Sequence, residues 1–576
     1  MGRRLTVGVM LFALLGGPAC LAGSDSRSNG ALAVYLRDNP EADADADGTL
    51  TQAEMEAHRL RQALAPFPEG TRHEHVMMPM RDGVRLATEV FLPAGEGKWP
   101  VVLMRTPYGR WRALSYYERV KDHAVAFVVQ DVRGDGDSEG RETVEPESFD
   151  NEIEDSADTA EWIAGQPWCN GRVIMIGGSG HGMAAVMAVY SNSPHVTACC
   201  PGNSGGHAHL YWLYHNGVRR KLYGWLSNKS VPVPEWPKPT TTPFDPDEWH
   251  RFCRERAKDN RIWFINNGGW YNIFSESQVD NFAALSGTGR AFLQINAGTH
   301  GQMQGLEYPA ARWPEGVKSV SLGELIEGKE PADTRSRLLY YLMGDVTDPQ
   351  APGNVWQVAY KWPVDHTPVR FYMHRDGSLS RNAPAEPDAS LTYRYDPRDP
   401  VPTIGGDILS ADNAGPRDQR PLMARGDVLR FQTGPLSEPL AVTGKLWAEL
   451  HVSSDVPDTT FMAKLIDVYP DGRQALVRDS AIMARYWQGS DRPAPVEKGT
   501  VYRLMMDMWS TAIVFNAGHR IAVHVTSSNS PKYEVHPNSY EPVRSYDASP
   551  VASNTLHVSS SHPSCVILPV VPLPPE

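Results

Sequence analysis

Short apolar runs alternate with helix-like stretches between about Val76 and Gly301, which is typical of a parallel β-sheet covered by helices. The runs are VVLM at 101–104, VAFVVQ at 125–130, VIMIG at 173–177, IWFIN at 262–266 and FLQI at 292–295. We therefore predict an α/β domain over residues 70–400.

After about Gly405 the pattern changes to many short segments in which apolar and polar residues alternate, without a long helical stretch. Examples are LAVTGKLWAELHVSS, FMAKLIDVYP and HRIAVHVTSS. Alternation with a period of two residues is typical of strands that bury one face, and a series of them indicates a β-sandwich. We predict this all-β domain over residues 405–570, before the proline-rich end ILPVVPLPPE.

The segment from His207 to His250 is rich in tyrosine, tryptophan and proline and interrupts the α/β pattern. We predict a small helical cap over about residues 207–260. Aromatic side chains of a cap can form an apolar pocket for an acyl group or a ring. Ordinary packing between cap and core explains any single one of them equally well.

An acidic segment near the N-terminus, DADADGTLTQAE from Asp43, has the spacing of an EF-hand loop, with Gly48 at the sharp turn. The predicted ligands are Asp43, Asp45, Asp47, Thr49, Thr51 and Glu54. The flanking segments have apolar residues at helical spacing, as a helix-loop-helix requires. We predict a calcium module over residues 29–65 with a structural Ca²⁺, whereas an acidic solvated linker is the alternative.

The first 22 residues have the organisation of a signal peptide: Arg3-Arg4, an apolar run from Leu5 to Leu15, then small residues to Ala22. Export to the periplasm or the medium is the prediction. Cys20 stands where a bacterial lipoprotein carries its lipidated cysteine, so a lipid anchor is an alternative. No later stretch reaches the roughly 18 apolar residues of a membrane span, which predicts a soluble mature protein.

Composition narrows the class of protein. A chain of 576 residues is too long for one hydrophobic core, so at least two domains are expected. The formal charge of -13 argues against a nucleic-acid partner, whose phosphates require a basic surface. Small molecules or short peptides are the expected substrates. Five cysteines follow Cys20, and their pairing and the oligomeric state stay open.

One glycine-rich turn carries the candidate chemistry. GGSGHG at 177–182 directly follows an apolar run and precedes the helix-like AAVMAVY, which is typical of a nucleophile elbow that presents Ser179. A serine- and glycine-rich loop without chemistry is the alternative. A serine needs a base, and His300 follows a later apolar run in NAGTHG. The residue that orients the histidine should stand between them, and the best position, in GGWYNIF, holds Asn272.

These segments resemble the X-prolyl dipeptidyl-peptidase-like and cocaine-esterase-like serine hydrolases. The shared segments occur in the same order from about residue 76 to 540, and the acidic N-terminal loop lies outside them. They are MRDGVRLATEVFLPA at 80–94, RTPYGR at 105–110, QDVRGDGDSEG at 130–140, PWCNGRVIMIGGSGHG at 167–182, GGWYNIF at 268–274, GTHG at 298–301, DVYPDGR at 467–473 and GHRIAVHVTSSNSP at 518–531.

The resemblance implies an α/β-hydrolase core with a C-terminal jelly-roll domain that helps to wall the site. It also implies Ser179 as the nucleophile, His300 as the general base, and an oxyanion hole made by the Tyr108 hydroxyl and the Gly180 N–H. Packing is the alternative role for the tyrosine. Such enzymes hydrolyse esters, amides or X-Pro peptides through an acyl-enzyme and use no cofactor for catalysis.

Two positions depart from the family pattern. Asn272 stands where an aspartate is expected, and this leaves three alternatives: a slow enzyme, recruitment of another carboxylate such as Glu276 or Asp280, or loss of catalysis. Gly180-His181 replaces a tyrosine and a variable residue, so the wall beside the serine must differ, and His181 either touches substrate or is exposed.

Two functions therefore stay open at the level of sequence. The first is an exported serine hydrolase that cleaves an ester or amide bond, with a preference for esters because no anchor for a free amine is identifiable. The second is a calcium-stabilised binding protein that keeps the fold and the pocket without turnover.

Overall fold

The computed structural model describes residues 25–65, 67–143, 151–207, 211, 213–221, 246–331, 333–410, 412–490 and 492–574. The predicted signal peptide at 1–22, with Cys20, lies outside these residues, as does the central part of the predicted cap at 222–245. Export and lipid anchoring therefore stay predictions. In the described part of the chain, no helix has both the length and the apolar character needed to cross a membrane.

The α-helices of the described chain all precede the C-terminal third. They are α1 (Gly30–Asp38), α2 (Gln52–Leu64), α3 (Arg110–Ala113), α4 (Glu152–Ala164), α5 (Met183–Ala188), α6 (Pro246–Ala257), α7 (Ser275–Leu285) and α8 (Leu322–Ile326). Short 3₁₀ turns lie at Pro40–Ala42, Leu114–Arg119, Arg141–Thr143, Ser179–Gly182, Val189–Ser191, Ser286–Thr288, Arg420–Ala424 and Ala484–Tyr486.

The chain up to about residue 360 builds a ten-stranded sheet and a small hairpin. The strands are β1 (Arg72–Pro79), β2 (Arg85–Leu92), β3 (Trp99–Thr106), β4 (Ala126–Asp131), β5 (Cys169–Gly178), β6 (Val196–Gly202), β7 (Tyr214–His215), β8 (Val218–Arg219), β9 (Trp263–Tyr271), β10 (Ala291–Thr299), β11 (Arg337–Leu342) and β12 (Val355–Ala359). The hairpin is β7-β8, and the sheet order is β1-β2-β4-β3-β5-β6-β9-β10-β11-β12. In this sheet order, neighbouring strands are parallel from β4 through to β11. The pairs β1-β2, β2-β4 and β11-β12 are antiparallel.

Alternate residues of the central strands supply two separate cores, one on each face of the sheet. In β3, Val101 and Leu103 belong to the core under α4, α5 and α7, whereas Val102 and Met104 belong to the core under α3 and α8. This explains why the apolar runs are continuous, since both faces of a parallel sheet are covered. The carboxyl ends of β3, β5, β6, β9 and β10 lie side by side at one edge, where α/β proteins bind ligands.

The C-terminal domain is a sandwich of two antiparallel sheets, which confirms the predicted fold class. Its strands are β13 (Thr367–Met373), β14 (Leu379–Ser380), β15 (Ser390–Tyr395), β16 (Leu429–Gln432), β17 (Leu440–Ser454), β18 (Thr460–Val468), β19 (Gln474–Met483), β20 (Tyr502–Phe515), β21 (Arg520–Thr526), β22 (Ala552–His557) and β23 (Cys565–Val571). One sheet has the order β14-β13-β23-β17-β22-β15, with β20 paired to β17, and the other has the order β16-β21-β18-β19.

The predicted boundary between residues 400 and 405 is wrong. Strands β13 and β15 precede it in the chain but pair with β23 and β22 of the sandwich. The sandwich therefore begins at about Thr367. Pairing across about 160–200 residues leaves no signal in the local pattern, and this is why the sequence placed these strands in the wrong domain.

The N-terminal module has the predicted helix-loop-helix form, with α1 and α2 on either side of the acidic loop. Leu32, Ala42, Leu50 and Met55 form its small apolar core. The chain that follows enters the large domain through Phe67, whose ring stacks on those of Phe91 and Tyr117 at centroid distances of 4.4 and 4.1 Å.

The described parts of the predicted cap contact both domains. Hairpin β7-β8 leads into the sandwich, where the Lys221 N–H donates to the Lys532 carbonyl at 2.7 Å. Helix α6 packs beside α7. On α6 itself, the rings of Trp249 and Phe252 stack at 5.3 Å. The cysteines of the described residues, Cys169, Cys199, Cys200, Cys253 and Cys565, are unpaired.

Candidate active site

Ser179 lies at the sharp turn between β5 and α5. Its φ of 55° is in the left-handed region, as expected for a nucleophile elbow. The glycines on either side of this turn allow other parts of the chain to approach closely. A Cβ on Gly177 would overlap the His181 carbonyl, and one on Gly182 would lie 2.9 Å from Cβ of Ser204. A residue outside the turn also stabilises it, since the Ser204 hydroxyl donates to the Ser179 carbonyl at 2.7 Å. The backbone thus projects Ser179 from the carboxyl edge of the sheet.

His300 meets this serine directly. It follows the last residue of β10, and its Nε2 lies 2.8 Å from Oγ of Ser179. Burial lowers the pKa of the His300 imidazole to about 4, and no described carboxylate counteracts this. The ring is therefore neutral at pH 7, with Nε2 able to accept the serine proton.

Asn272 occupies the position of the orienting residue, directly after β9, and is fully buried. Its Oδ1 lies 3.3 Å from Nδ1 of His300 and also accepts the Phe274 N–H at 3.0 Å. Its Nδ2 donates to Oδ1 of Asn203 at 2.9 Å. Because a backbone N–H can only donate, it fixes the amide with its oxygen towards His300. That oxygen favours the tautomer with a proton on Nδ1, which leaves Nε2 free for Ser179.

Glu276 and Asp280 do not take the place of the missing aspartate, so that alternative is wrong. Both lie on α7, which carries them away from His300 towards the sandwich and the cap. Glu276 accepts the Ser510 N–H at 2.6 Å and pairs with Lys445 at 2.9 Å. Asp280 accepts the Tyr211 hydroxyl at 2.8 Å and lies 3.3 Å from Nε2 of His250. These partners come from distant segments, which explains why the local sequence did not reveal them.

Tyr108 reaches the serine from the loop after β3. Its hydroxyl fills the space that a Cβ on Gly180 would occupy, so the phenol lies against the peptide next to Ser179. The loop is anchored behind the tyrosine: Arg110 donates to Asp131 through its backbone N–H at 2.5 Å and through Nη1 at 2.7 Å. The structure thus brings together Ser179, His300, Asn272, Tyr108 and Gly180, the five residues that the sequence predicts for the catalytic centre.

His181, the second departure from the family pattern, is half-buried rather than exposed. Its Nδ1 lies 2.6 Å from Oγ1 of Thr106. Its ring contacts the edge of Tyr108 at a centroid distance of 4.9 Å and tilts against Tyr116 at 5.5 Å. The imidazole is therefore part of the wall beside the serine.

An apolar patch borders the other side of the site. Met183, Ile273 and Phe274 form a small buried cluster, against which Leu213 of the cap segment and Leu409 of the sandwich pack. The Phe274 ring lies edge-on to the His300 ring at 5.6 Å. Sequence reasoning missed Asn203, although it follows β6 at the same edge as the other site residues, and it missed Leu409, for which no local signal exists.

The acidic loop of the N-terminal module forms a second candidate site. Oxygens of Asp43, Asp45 and Asp47 lie within 4.8 Å of one another. Gly48 has a φ of 79°, and its N–H donates to Asp43 at 2.8 Å. Glu54 lies in the first turn of α2 and forms a capping box with Thr51, whose N–H donates to the carboxylate at 3.0 Å. Thr49 is buried within the loop.

Comparison with known families matches both halves of the chain. Residues 82–240 match the X-Pro dipeptidyl-peptidase (S15 family), and residues 332–567 match the X-Pro dipeptidyl-peptidase C-terminal non-catalytic domain. Cocaine esterase of Rhodococcus sp. (strain MB1 Bresler) is 30% identical over 86% of this chain and 98% of its own length. A putative serine esterase of Mycobacterium bovis is 23% identical over 88% of this chain and 96% of its own.

Solved structures share the fold across the same span. An aminopeptidase from a Thaumarchaeota archaeon of marine sediment is 22% identical, covers 87% of this chain and 97% of its own, and gives a TM-score of 0.68. An α-amino acid ester hydrolase is also 22% identical, with the same coverage and a TM-score of 0.67. At this identity the likeness concerns the fold, and it includes both the α/β domain and the sandwich.

Proposed function

Because the chain belongs to the family of X-Pro dipeptidyl-peptidases and cocaine esterases and is therefore a serine hydrolase for ester or peptide bonds, we propose that it cleaves small esters through an acyl-enzyme on Ser179. The observation that carries this proposal is the 2.8 Å contact of Oγ of Ser179 with Nε2 of His300. The tautomer that Asn272 favours supports it further, since Nε2 must be unprotonated to act as a base.

The proposed reaction uses the side chains at this edge in the usual order. His300 takes the proton of Ser179 as Oγ attacks the ester carbonyl carbon. The oxyanion that forms accepts hydrogen bonds from the Tyr108 hydroxyl and the Gly180 N–H. His300 then returns the proton to the leaving alcohol. Water, activated by the same imidazole, hydrolyses the acyl-enzyme and releases the acid.

Two features favour an ester over a peptide. The general base lacks a carboxylate partner, so the site is weaker than a complete triad, and an alcohol is an easier leaving group than an amine. A peptidase that binds a free N-terminus needs an anionic anchor. Glu276 and Asp280, the carboxylates of the helix that follows Asn272, are engaged with Lys445, Tyr211 and other groups away from His300.

A fluorophosphonate probe tests the proposal directly. Wild-type protein is expected to be labelled, with the mass shift on the peptide that contains Ser179, because only an activated serine attacks phosphorus quickly. Ser179→Ala is the control and should take up no label. The competing function, a calcium-stabilised binding protein without turnover, predicts that wild type and Ser179→Ala remain equally unlabelled.

The pH dependence of kcat/KM follows from the burial of His300. Since burial lowers the pKa of the imidazole to about 4, the base stays neutral until the medium is strongly acidic. We expect kcat/KM for an activated ester to be constant from about pH 6 to 8 and to fall as the pH drops through about 4. A half-maximum near pH 6.5, the value of a solvated imidazole, would contradict this environment.

We further propose that the N-terminal loop binds one Ca²⁺ as a structural ion. The donor set fits, because a hard cation prefers several carboxylate oxygens and three lie together here. Asp43, Asp45, Asp47, Thr51 and Glu54 would bind through their side chains and Thr49 through its carbonyl. A bound ion would offset most of the negative charge of the three aspartates, which otherwise repel one another at the surface.

Titration calorimetry checks this proposal. We expect one Ca²⁺ per chain with a Kd between about 10⁻⁷ and 10⁻³ M, the range of sensor and extracellular sites. Asp45→Asn should weaken binding at least tenfold, since it removes a ligand charge. Asp38→Asn is the matched control, because Asp38 lies outside the loop and pairs with Arg37. Equal affinity of the two variants would rule out the loop as the site.

A further inference from the structure

The strongest unexplained feature beside the serine is the combination of a missing side chain at Gly180 and a half-buried imidazole at His181. The Tyr108 hydroxyl occupies the space above Gly180, where almost any other residue would place its Cβ. The glycine therefore makes room for the phenol but offers it no side-chain support. Something else must hold the ring in place.

A chain of hydrogen bonds leads from Tyr108 to His181. The Tyr108 N–H donates to Oγ1 of Thr106 at 3.1 Å, and the same oxygen lies 2.6 Å from Nδ1 of His181. The Thr106 hydroxyl accepts from the tyrosine backbone, and its second hydrogen bond joins it to Nδ1 of the imidazole, with the direction set by the tautomer of the ring. Burial and the charge of Arg112 lower the pKa of His181 to about 4, so the ring is neutral at pH 7.

The ring of His181 also touches Tyr108 itself. The two rings meet edge to face at 4.9 Å with an interplanar angle of 76°. On its other side the imidazole rests against Tyr116, whose hydroxyl lies 2.7 Å from where a Cβ on Gly178 would be. Thr106 is fully buried, which leaves this hydroxyl little freedom to choose another partner.

We infer that His181 is a positioning residue, which acts through Thr106 and through ring contact to hold the Tyr108 hydroxyl above Gly180. The inference rests on the proposed function, in which that hydroxyl binds the oxyanion. His181 does not touch the reacting atoms in this role. Its effect on the reaction passes entirely through the tyrosine.

A double-mutant cycle separates this role from substrate contact and from general packing. His181→Phe keeps a ring but removes the hydrogen-bond partner of the Thr106 hydroxyl. We expect it to lower kcat for an activated ester by about 10- to 10²-fold, as a small misplacement of a catalytic group does, with KM changed less than threefold. In a Tyr108→Phe background the same change should alter kcat less than twofold.

Two further variants keep the test specific. His181→Asn places an amide, which can donate or accept, near the position of Nδ1 and should recover most of kcat, whereas Thr106→Val should resemble His181→Phe. His195→Phe is the matched control, since His195 is a surface histidine paired with Glu161 and should leave kcat unchanged. Equal losses from His181→Phe with and without the Tyr108 hydroxyl would overturn the inference.

A crystal structure of His181→Phe gives a readout that does not depend on activity. We expect the Tyr108 hydroxyl to move by about 1 Å or more from its place above Gly180. An unmoved hydroxyl would refute the positioning role even if the protein turned nothing over. Conversely, failure of the proposed function would appear as an unlabelled Ser179 in wild-type protein, whatever the position of the tyrosine.

Discussion

Asn272→Asp is expected to raise kcat for an activated ester by about 10- to 10³-fold. In a serine triad the change from aspartate to asparagine costs about 10⁴ in turnover, and part of that loss comes from a wrong histidine tautomer. Here the Phe274 N–H already turns the amide oxygen towards Nδ1 of His300. The substitution therefore has to restore only the missing negative charge. The gain in kcat should be smaller than the factor of about 10⁴ that separates aspartate from asparagine in such a triad.

The surroundings of Asn272 can accept a carboxylate. One oxygen of the new carboxylate would still accept the Phe274 N–H. The other would face the side chain of Asn203, which is exposed and can turn its amide so that it donates. The negative charge would also stabilise the imidazolium and raise the pKa of His300. The acidic limb of kcat/KM should therefore move upward from about pH 4.

Steady-state kinetics of both proteins between pH 3 and 9 measure the two effects together. Asn272→Ala is the matched control, because it removes the oxygen that faces Nδ1 and should lower kcat. A variant with aspartate that is no faster than wild type, and whose acidic limb does not move, would show that the orienting residue does not limit turnover.

Tyr108→Phe is expected to lower kcat by about 10²- to 10³-fold, the cost of removing one oxyanion donor, or roughly 3–4 kcal/mol of barrier. The change removes only the hydroxyl, and the ring can keep its contact with His181. KM should change little, since an oxyanion donor acts mainly in the transition state. Labelling of Ser179 by fluorophosphonate should slow in parallel.

The matched control is Tyr117→Phe, a nearby tyrosine that stacks on Phe67 away from the serine. It should retain wild-type kcat. If Tyr108→Phe behaves in the same way, the phenol is packing rather than catalytic, and the oxyanion must be held by backbone N–H groups instead.

The parts of the site that could be predicted from the sequence are those whose signal is local. Ser179 stands in a glycine turn between a strand and a helix, and His300 and Asn272 each directly follow a strand. Parallel strands bring their carboxyl ends to one edge of the sheet, so residues far apart in the chain meet there. The same rule would have found Asn203, which follows β6.

The parts that could not be predicted depend on contacts between distant segments. Glu276 was a reasonable candidate by its distance in sequence from Asn272, but its partners Lys445 and Ser510 come from the sandwich. The start of the sandwich at Thr367 was hidden for the same reason, because its first strand pairs with its last. The orientation of the Asn272 amide is also invisible to sequence, since a backbone N–H fixes it.

The contacts that the sandwich makes with Glu276 bear on whether the α/β domain can be separated from the sandwich. This carboxylate lies one turn beyond Asn272, and burial raises its pKa, yet a backbone N–H and an ammonium from the other domain satisfy it. A fragment that ended before residue 367 would leave that carboxylate without either partner. Helix α7, which begins beside His300, would lose these contacts. The alignment of Asn272, His300 and Ser179 would be lost with them. The sandwich supplies none of the reacting groups, but it supports the helix that follows Asn272 and is in this sense part of the active site. The enzyme should therefore be expressed and engineered with both domains together.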